Sequence, residues 1–234
     1  LKNIAKKYNL LVLEDSADIL GGSYNNKPTG QYADISITSF YGMHMINCAG
    51  NGGMITTNDK LLADKCREMS WFGVSSTWSR SQGKSGKPGY AWDYEVNILG
   101  YKYYMTDIIA AICLEQMKKL PKHLEFRRFI QSKYNAELTP IIEKPPHSET
   151  VQYYTARVPG EYRDNLINYL SEKKIHTSVH FKPLYKYTPL KQDRDYPVCE
   201  KEWVKLITLP CHNRMSNDDV NYVIYWVNKF FEEI

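Results

Sequence analysis

Two short stretches of this chain carry side chains suited to ligand binding and proton transfer. The first is Glu14-Asp15-Ser16-Ala17-Asp18, which follows the apolar run Leu10 to Leu13. The second is Ser39-Phe40-Tyr41-Gly42-Met43-His44, a hydroxyl followed five residues later by an imidazole, with Gly52-Gly53 downstream. Imidazole is the side chain best matched to removing a proton near neutral pH. Carboxylates at the end of a buried strand lie where α/β sheets place ligands. Each group also has an ordinary reading. An acidic pair commonly caps the turn after a strand, and a lone loop histidine is commonly a surface residue.

These groups need a scaffold, and the apolar pattern describes one. Leu10 to Leu13 is a continuous apolar run, the mark of a strand covered on both faces. Ile35, Ile37 and Phe40, then Met54 and Ile55, predict two further buried strands. Asn58-Asp59 caps a helix carrying Leu61, Leu62, Cys66 and Met69 on one side. Strands alternating with helices imply a parallel α/β sheet. Residues 75 to 92 are rich in Ser, Gly and Lys without periodicity and read as an exposed, mobile loop. Thr106-Asp107 opens a helix over 108–119 that Pro121 breaks. A second helix then runs to about Leu138, with Leu124, Phe129, Tyr134 and Leu138 as buried positions. Pro140, Pro145 and Pro146 mark a linker, so 1–138 and 139–234 are expected to be two domains. In the second, 151–158 and 176–181 read as strands, 163–173 as an amphipathic helix, and 217–231 as a helix capped by Ser216.

Composition narrows the class. At 234 residues and 43% hydrophobic, the chain can bury a sizeable core. The net charge of +4 is ordinary, and Lys and Arg are spread rather than clustered, which argues against a nucleic-acid partner. Cys48, Cys66, Cys113, Cys199 and Cys211 are scattered without CxxC spacing, which points to reduced thiols and a cytoplasmic protein. The histidines show no metal-ligand spacing, so no metal is expected. No apolar run approaches the roughly 18 residues of a membrane span.

Read together, residues 11 to 59 resemble the DegT/DnrJ/EryC1/StrS sugar aminotransferases, fold-type-I enzymes that use pyridoxal phosphate (PLP). In that family a lysine five residues after the Ser-Phe serine carries the cofactor as an imine. Five residues after Ser39 stands His44, and imidazole cannot form that bond. The nearest resemblance is to nucleotide-sugar 3-dehydratases, which also put His there and hold pyridoxamine phosphate (PMP) noncovalently. Some carry the pattern seen here from Glu14 to Gly21, with Asp at the position of Asp18.

The resemblance implies the C-terminal part of a large PLP-binding domain with a mostly parallel sheet, then a small α+β domain. It also implies an upstream stretch that brings the first strands and a phosphate-binding turn. On this pattern Asp15 contacts the pyridine nitrogen, Ser39 the phosphate, and Asp18 lies beside the cofactor. His44 is the base, and Lys102 is a candidate to supply charge near the phosphate. The segment Thr177 to Leu184 resembles the family's V-H-Y-x-P-L run near the sugar, making His180 and Lys182 candidate substrate contacts. Leu209-Pro210-Cys211-His212 matches an L-P-L-H loop, read as packing.

The implied partners are a nucleotide-linked keto sugar, glutamate as amino donor, and a second copy of the chain facing Tyr101 to Tyr104. Met45 and Asn51 depart from the dehydratase pattern, and neither Lys102 nor Tyr104 is the Asn that many members carry. The expected reaction is 3-dehydration of a nucleotide 4-keto-6-deoxyhexose in surface-polysaccharide biosynthesis. Amine transfer within the same family, and a non-catalytic binding or scaffold role, are the alternatives.

Overall fold

The computed structural model describes residues 1–74, 92, 95–192 and 194–234. The loop expected over 75–92 lies, Trp92 apart, outside the described residues. Two compact units are present, Leu1–Pro121 and Lys122–Ile234.

In the first unit, helix α1 (Lys2–Tyr8) ends at Asn9 in the left-handed conformation, and strand β1 (Leu13–Asp15) follows. A small hairpin, β2 (Ser23–Tyr24) and β3 (Lys27–Pro28), leads to β4 (Ile35–Ser39) and β5 (Gly53–Thr56). The main sheet has the order β1-β4-β5. β1 and β4 are parallel, with Glu14 opposite Ser36 and Asp15 opposite Ile37. Their C-terminal ends therefore meet at one edge of the sheet. Because side chains alternate, Asp15, Ile37 and Ser39 share one face, while Glu14, Ser36 and Thr38 share the other. This alternation is what sorts the polar residues.

The sheet departs from expectation in two ways. β5 runs antiparallel to β4, so the sheet is mixed rather than mostly parallel. Leu10, Leu11 and Leu13 are 59–75% exposed and Met54 and Ile55 about half exposed, so these runs are apolar without being covered within this unit. The apolar pattern reports what a strand is built to pack against, and only neighbouring elements decide whether it is covered. Helix α2 (Lys60–Ser70) starts as expected at Asp59, whose carboxylate accepts the Leu61 and Leu62 amides. Its Leu61 and Met69 are exposed.

Helix α3 spans Asp107–Glu137 with Pro121 inside it, correcting the expected break. Proline removes one backbone hydrogen bond. Here Leu120 and Leu124 are buried on either side of it, and that packing carries the helix through. The division between units falls within α3 rather than after residue 138, because Ile130, Tyr134 and Leu138 belong to the core of the second unit.

That unit adds β6 (Tyr154–Arg157), α4 (Gly160–Glu172), α5 (Pro197–Trp203), β7 (Leu206–Leu209) and α6 (Asn217–Glu232). β6 and β7 pair antiparallel, and Leu166, Ile207, Val220 and Val227 are fully buried beside them. Of the helix positions expected to be buried, Leu124, Tyr134 and Leu138 are, whereas Phe129 is 42% exposed. α6 begins with a reciprocal capping box between Ser216 and Asp219. Asn228 on α6 finishes α3: its amide donates to the Glu137 carbonyl at 2.8 Å and its oxygen accepts the Thr139 amide at 2.8 Å. Residues 176–181 form no strand; Ser178 makes only an isolated bridge to Thr208.

Candidate active site

The end of β1 is pinned to β4 by one further ladder bond, from the Ser16 amide to the Ile37 carbonyl at 2.8 Å. The Asp15 carboxylate then accepts the Ala17 amide at 3.1 Å. This local turn carries the chain around to Asp18. Asp15 is exposed on the face it shares with Ser39.

His44 is held from the other strand. Its amide donates to the Tyr41 carbonyl at 2.9 Å, closing a turn, and the Tyr41 ring meets the imidazole edge-on at 5.8 Å. On either side Phe40, Met45, Ile46 and Cys48 are buried to 2% exposure or less. The Cys48 amide donates back to the Phe40 carbonyl, and the Asn47 side chain ties the Gly42 carbonyl to the Gly50 amide. Gly53 lies where a Cβ would sit 2.9 Å from the Thr38 carbonyl, so the returning strand must be glycine at that point. The loop is therefore anchored at both ends, with the histidine at its turn.

The two anchored segments meet in one contact: His44 Nε2 lies 3.3 Å from an Asp18 carboxylate oxygen. A carboxylate so placed can orient the imidazole through Nε2. Nδ1 is buried and has no hydrogen-bond partner. A buried polar atom without a partner carries a desolvation cost. The His44 side chain is 18% exposed and that of Asp18 50%, so the pair sits at the surface with the imidazole sheltered. Ser39 Oγ accepts the Tyr41 amide at 3.2 Å, which leaves its hydroxyl hydrogen to donate outward. A carboxylate, a donor hydroxyl and an imidazole beside a second carboxylate, all at one end of the sheet, are groups that could hold a flat, phosphorylated ring with a basic nitrogen.

Lys102 is placed differently. It pairs with Trp71 in an isolated bridge, and its ammonium lies 5.4 Å from the Trp71 ring centre and 5.6 Å from that of Phe72. In the second unit, His180 Nδ1 lies 2.9 Å from Thr208 Oγ1, which in turn lies 3.0 Å from Thr155 Oγ1. The His180 ring stacks on Tyr153 at 4.0 Å, and the exposed Lys182 lies over the Tyr187 ring. Thr208 and Tyr153 were not legible as site neighbours from sequence, because contacts across strands and loops leave no mark on spacing. Among the described residues, no group of three or more His, Cys, Asp or Glu is placed to hold a metal, and no helix is long and apolar enough to cross a membrane.

Comparison with known proteins gives the arrangement a context. The family model described as the DegT/DnrJ/EryC1/StrS aminotransferase family matches residues 1–228. A GDP-perosamine synthase of Escherichia coli O157:H7 is 31% identical over 240 residues, covering 98% of this chain and 61% of that protein. A UDP-4-amino-4,6-dideoxy-N-acetyl-beta-L-altrosamine transaminase of Campylobacter jejuni is 28% identical over 239 residues, covering 95% and 59%. Among solved structures, the Streptococcus pneumoniae protein Spr1654 in its PMP form superposes with a TM-score of 0.85 at 27% identity, covering 98% and 61%. The chain thus spans about three fifths of the length of these relatives.

Proposed function

The chain belongs to the DegT/DnrJ/EryC1/StrS aminotransferase family, and on that premise we propose that it transfers an amine to a nucleotide-linked keto sugar, with its cofactor held noncovalently beside His44. Its fold is that of the fold-type-I PLP enzymes, and the cofactor of this family is PLP or its amine form, PMP. When bound, the cofactor supplies an electron sink at the carbon that carries the nitrogen. The remaining work falls to side chains of the chain. Asp15 keeps the ring nitrogen protonated, and Ser39 donates its hydroxyl hydrogen to the phosphate. His44 serves as the base, and Asp18 orients its imidazole. Lys102, whose ammonium lies over the Trp71 and Phe72 rings, is assigned to the phosphate last in the set. His180 and Lys182 contact the sugar nucleotide, glutamate is the amino donor, and the working form is a homodimer.

The observation that carries this reading is the His44 imidazole, in the loop that follows Ser39, 3.3 Å from the Asp18 carboxylate beyond the end of β1. Amine transfer takes precedence because the family and a relative carry aminotransferase names. The presence of His44 where the family's lysine is expected favours a second reading, loss of the sugar's C3 hydroxyl with the carbonyl retained. The two separate by product. The full chain is incubated with PLP, glutamate and a nucleotide 4-keto-6-deoxysugar, and the sugar is weighed by mass spectrometry. A product with nitrogen in place of the carbonyl oxygen is expected. Loss of the C3 hydroxyl replaces it by the second reading, and absence of turnover with such sugars returns a non-catalytic role.

A further inference from the structure

Glu14 has no part in the chemistry above, yet its carboxylate is held by two hydrogen bonds at the strand end. Strand alternation turns it away from the face that carries Asp15 and Ser39. On the reverse face its Oε1 accepts two hydrogens: the Gly30 amide at 2.8 Å and the Ser16 hydroxyl. Ser16 Oγ also lies 3.3 Å from Ser36 Oγ, on the residue directly opposite Glu14 in the ladder. The Ser16 carbonyl accepts from Thr38 Oγ1 at 3.3 Å, and its amide is held by Ile37. Ser16 is 2% exposed and Ser36 6%, so the two serines form a buried, hydrogen-bonded link beneath the partly buried Glu14 carboxylate. Gly30 is part of the construction: its φ is +89°, and a Cβ there would stand 3.3 Å from the Ser36 Cβ. Only glycine brings its amide this close to the carboxylate.

We propose that Glu14 is a positioning residue: through Ser16, Ser36 and Gly30 it clamps the turn that presents Asp15 to the cofactor and Asp18 to His44. The two consequences lie on adjacent residues, since Ser16 joins Asp15 to the turn that ends at Asp18. The clamp is geometric, not a matter of charge, because both of its hydrogen bonds need only an acceptor oxygen. Its connection to cofactor binding rests on the reading of Asp15 as partner of the ring nitrogen.

The test compares Glu14→Ala with Glu14→Gln, whose amide oxygen can accept from the same two donors. Backbone hydrogen exchange is measured on the full chain without cofactor. Glu14→Ala should speed exchange at Ser16, Ala17 and Gly30 about tenfold or more, the effect of one ordinary net hydrogen bond. Glu14→Gln should leave it near the unmodified rate. With PLP added, the pH dependence of the cofactor's absorbance should move in Glu14→Ala in the same direction as in Asp15→Asn, and stay unmoved in Glu14→Gln.

Unchanged exchange in Glu14→Ala overturns the proposal, as does a Glu14→Gln variant impaired as badly as Glu14→Ala. If Asp15→Asn leaves the absorbance profile unchanged, the cofactor reading fails, while exchange at Ser16 and Ala17 still decides whether Glu14 holds the turn. Should Glu14→Ala not fold, Ser36→Ala removes a single member of the cluster. It must then speed exchange at Ser16 while Gly30 stays protected, and equal rates at both sites overturn the clamp.

Discussion

His44→Asn is expected to lower turnover of a nucleotide 4-keto sugar about a hundred- to ten-thousandfold, the usual loss for a positioned general base. The side-chain amide of Asn fits the same turn between Tyr41 and Met45, so the anchored loop should persist. What disappears is a basic nitrogen oriented by Asp18. PLP affinity should change far less than turnover, because the ring nitrogen and phosphate contacts are assigned to Asp15 and Ser39. Asp18→Asn should produce a smaller loss than His44→Asn, since the base remains and only its orientation weakens. Steady-state rates and PLP titrations on the same preparations measure both quantities. Equal loss of affinity and turnover in His44→Asn would make the residue a cofactor ligand rather than a base.

The second large effect is on stability. Tyr134→Ala should destabilise the second unit by about 3–5 kcal/mol, the range for emptying a large aromatic site in a core. Tyr134 is fully buried, meets Tyr154 edge-on at 4.8 Å, and donates its hydroxyl to the Pro210 carbonyl at 2.8 Å. Burial pushes its phenol well above the usual titration range, so the hydroxyl is a permanent donor. The ring fills the core and the hydroxyl holds the Leu209-to-His212 loop, two contributions that mutation can separate. Tyr134→Phe keeps the packing and should cost only about 0.5–1.5 kcal/mol. Phe129→Ala is the control from the same helix: with 42% of the residue exposed, it should cost far less than Tyr134→Ala. Urea unfolding midpoints give all three. A Phe129 effect equal to that of Tyr134 would place the core on the wrong face of α3.

The contrast between those two aromatics shows where sequence reading worked. Tyr134 and Phe129 both fit an apolar stripe, but a helix packed on one side buries a narrower face than its pattern suggests. Local signals translated directly: Asp59 and Ser216 cap their helices. Glu14-Asp15 does end a strand, but the split of the pair between two faces became visible only from the ladder register. Signals that depend on distant chain did not translate. Leu10 to Leu13 is apolar but exposed within its unit, and β5 returns antiparallel because a hydrophobic run carries no direction. In sequence Pro121 reads as a break, because its local penalty is visible there while the burial of Leu120 and Leu124 is not. In the site, counting from Ser39 located His44, but its partner Asp18 lies on another strand end, and no spacing rule joins the two.

With His44 in the place of the tethering lysine, the cofactor is expected to bind this chain without a covalent bond to it. Borohydride reduction of the full chain saturated with PLP, followed by intact mass and peptide mapping, tests it directly. The same treatment of His44→Lys provides the positive control, which should gain one cofactor at residue 44. The unmodified chain should show no stoichiometric gain in mass, and after removal of free PLP its mass should equal that of the untreated chain. A stoichiometric cofactor adduct on any lysine of the unmodified chain would contradict the account.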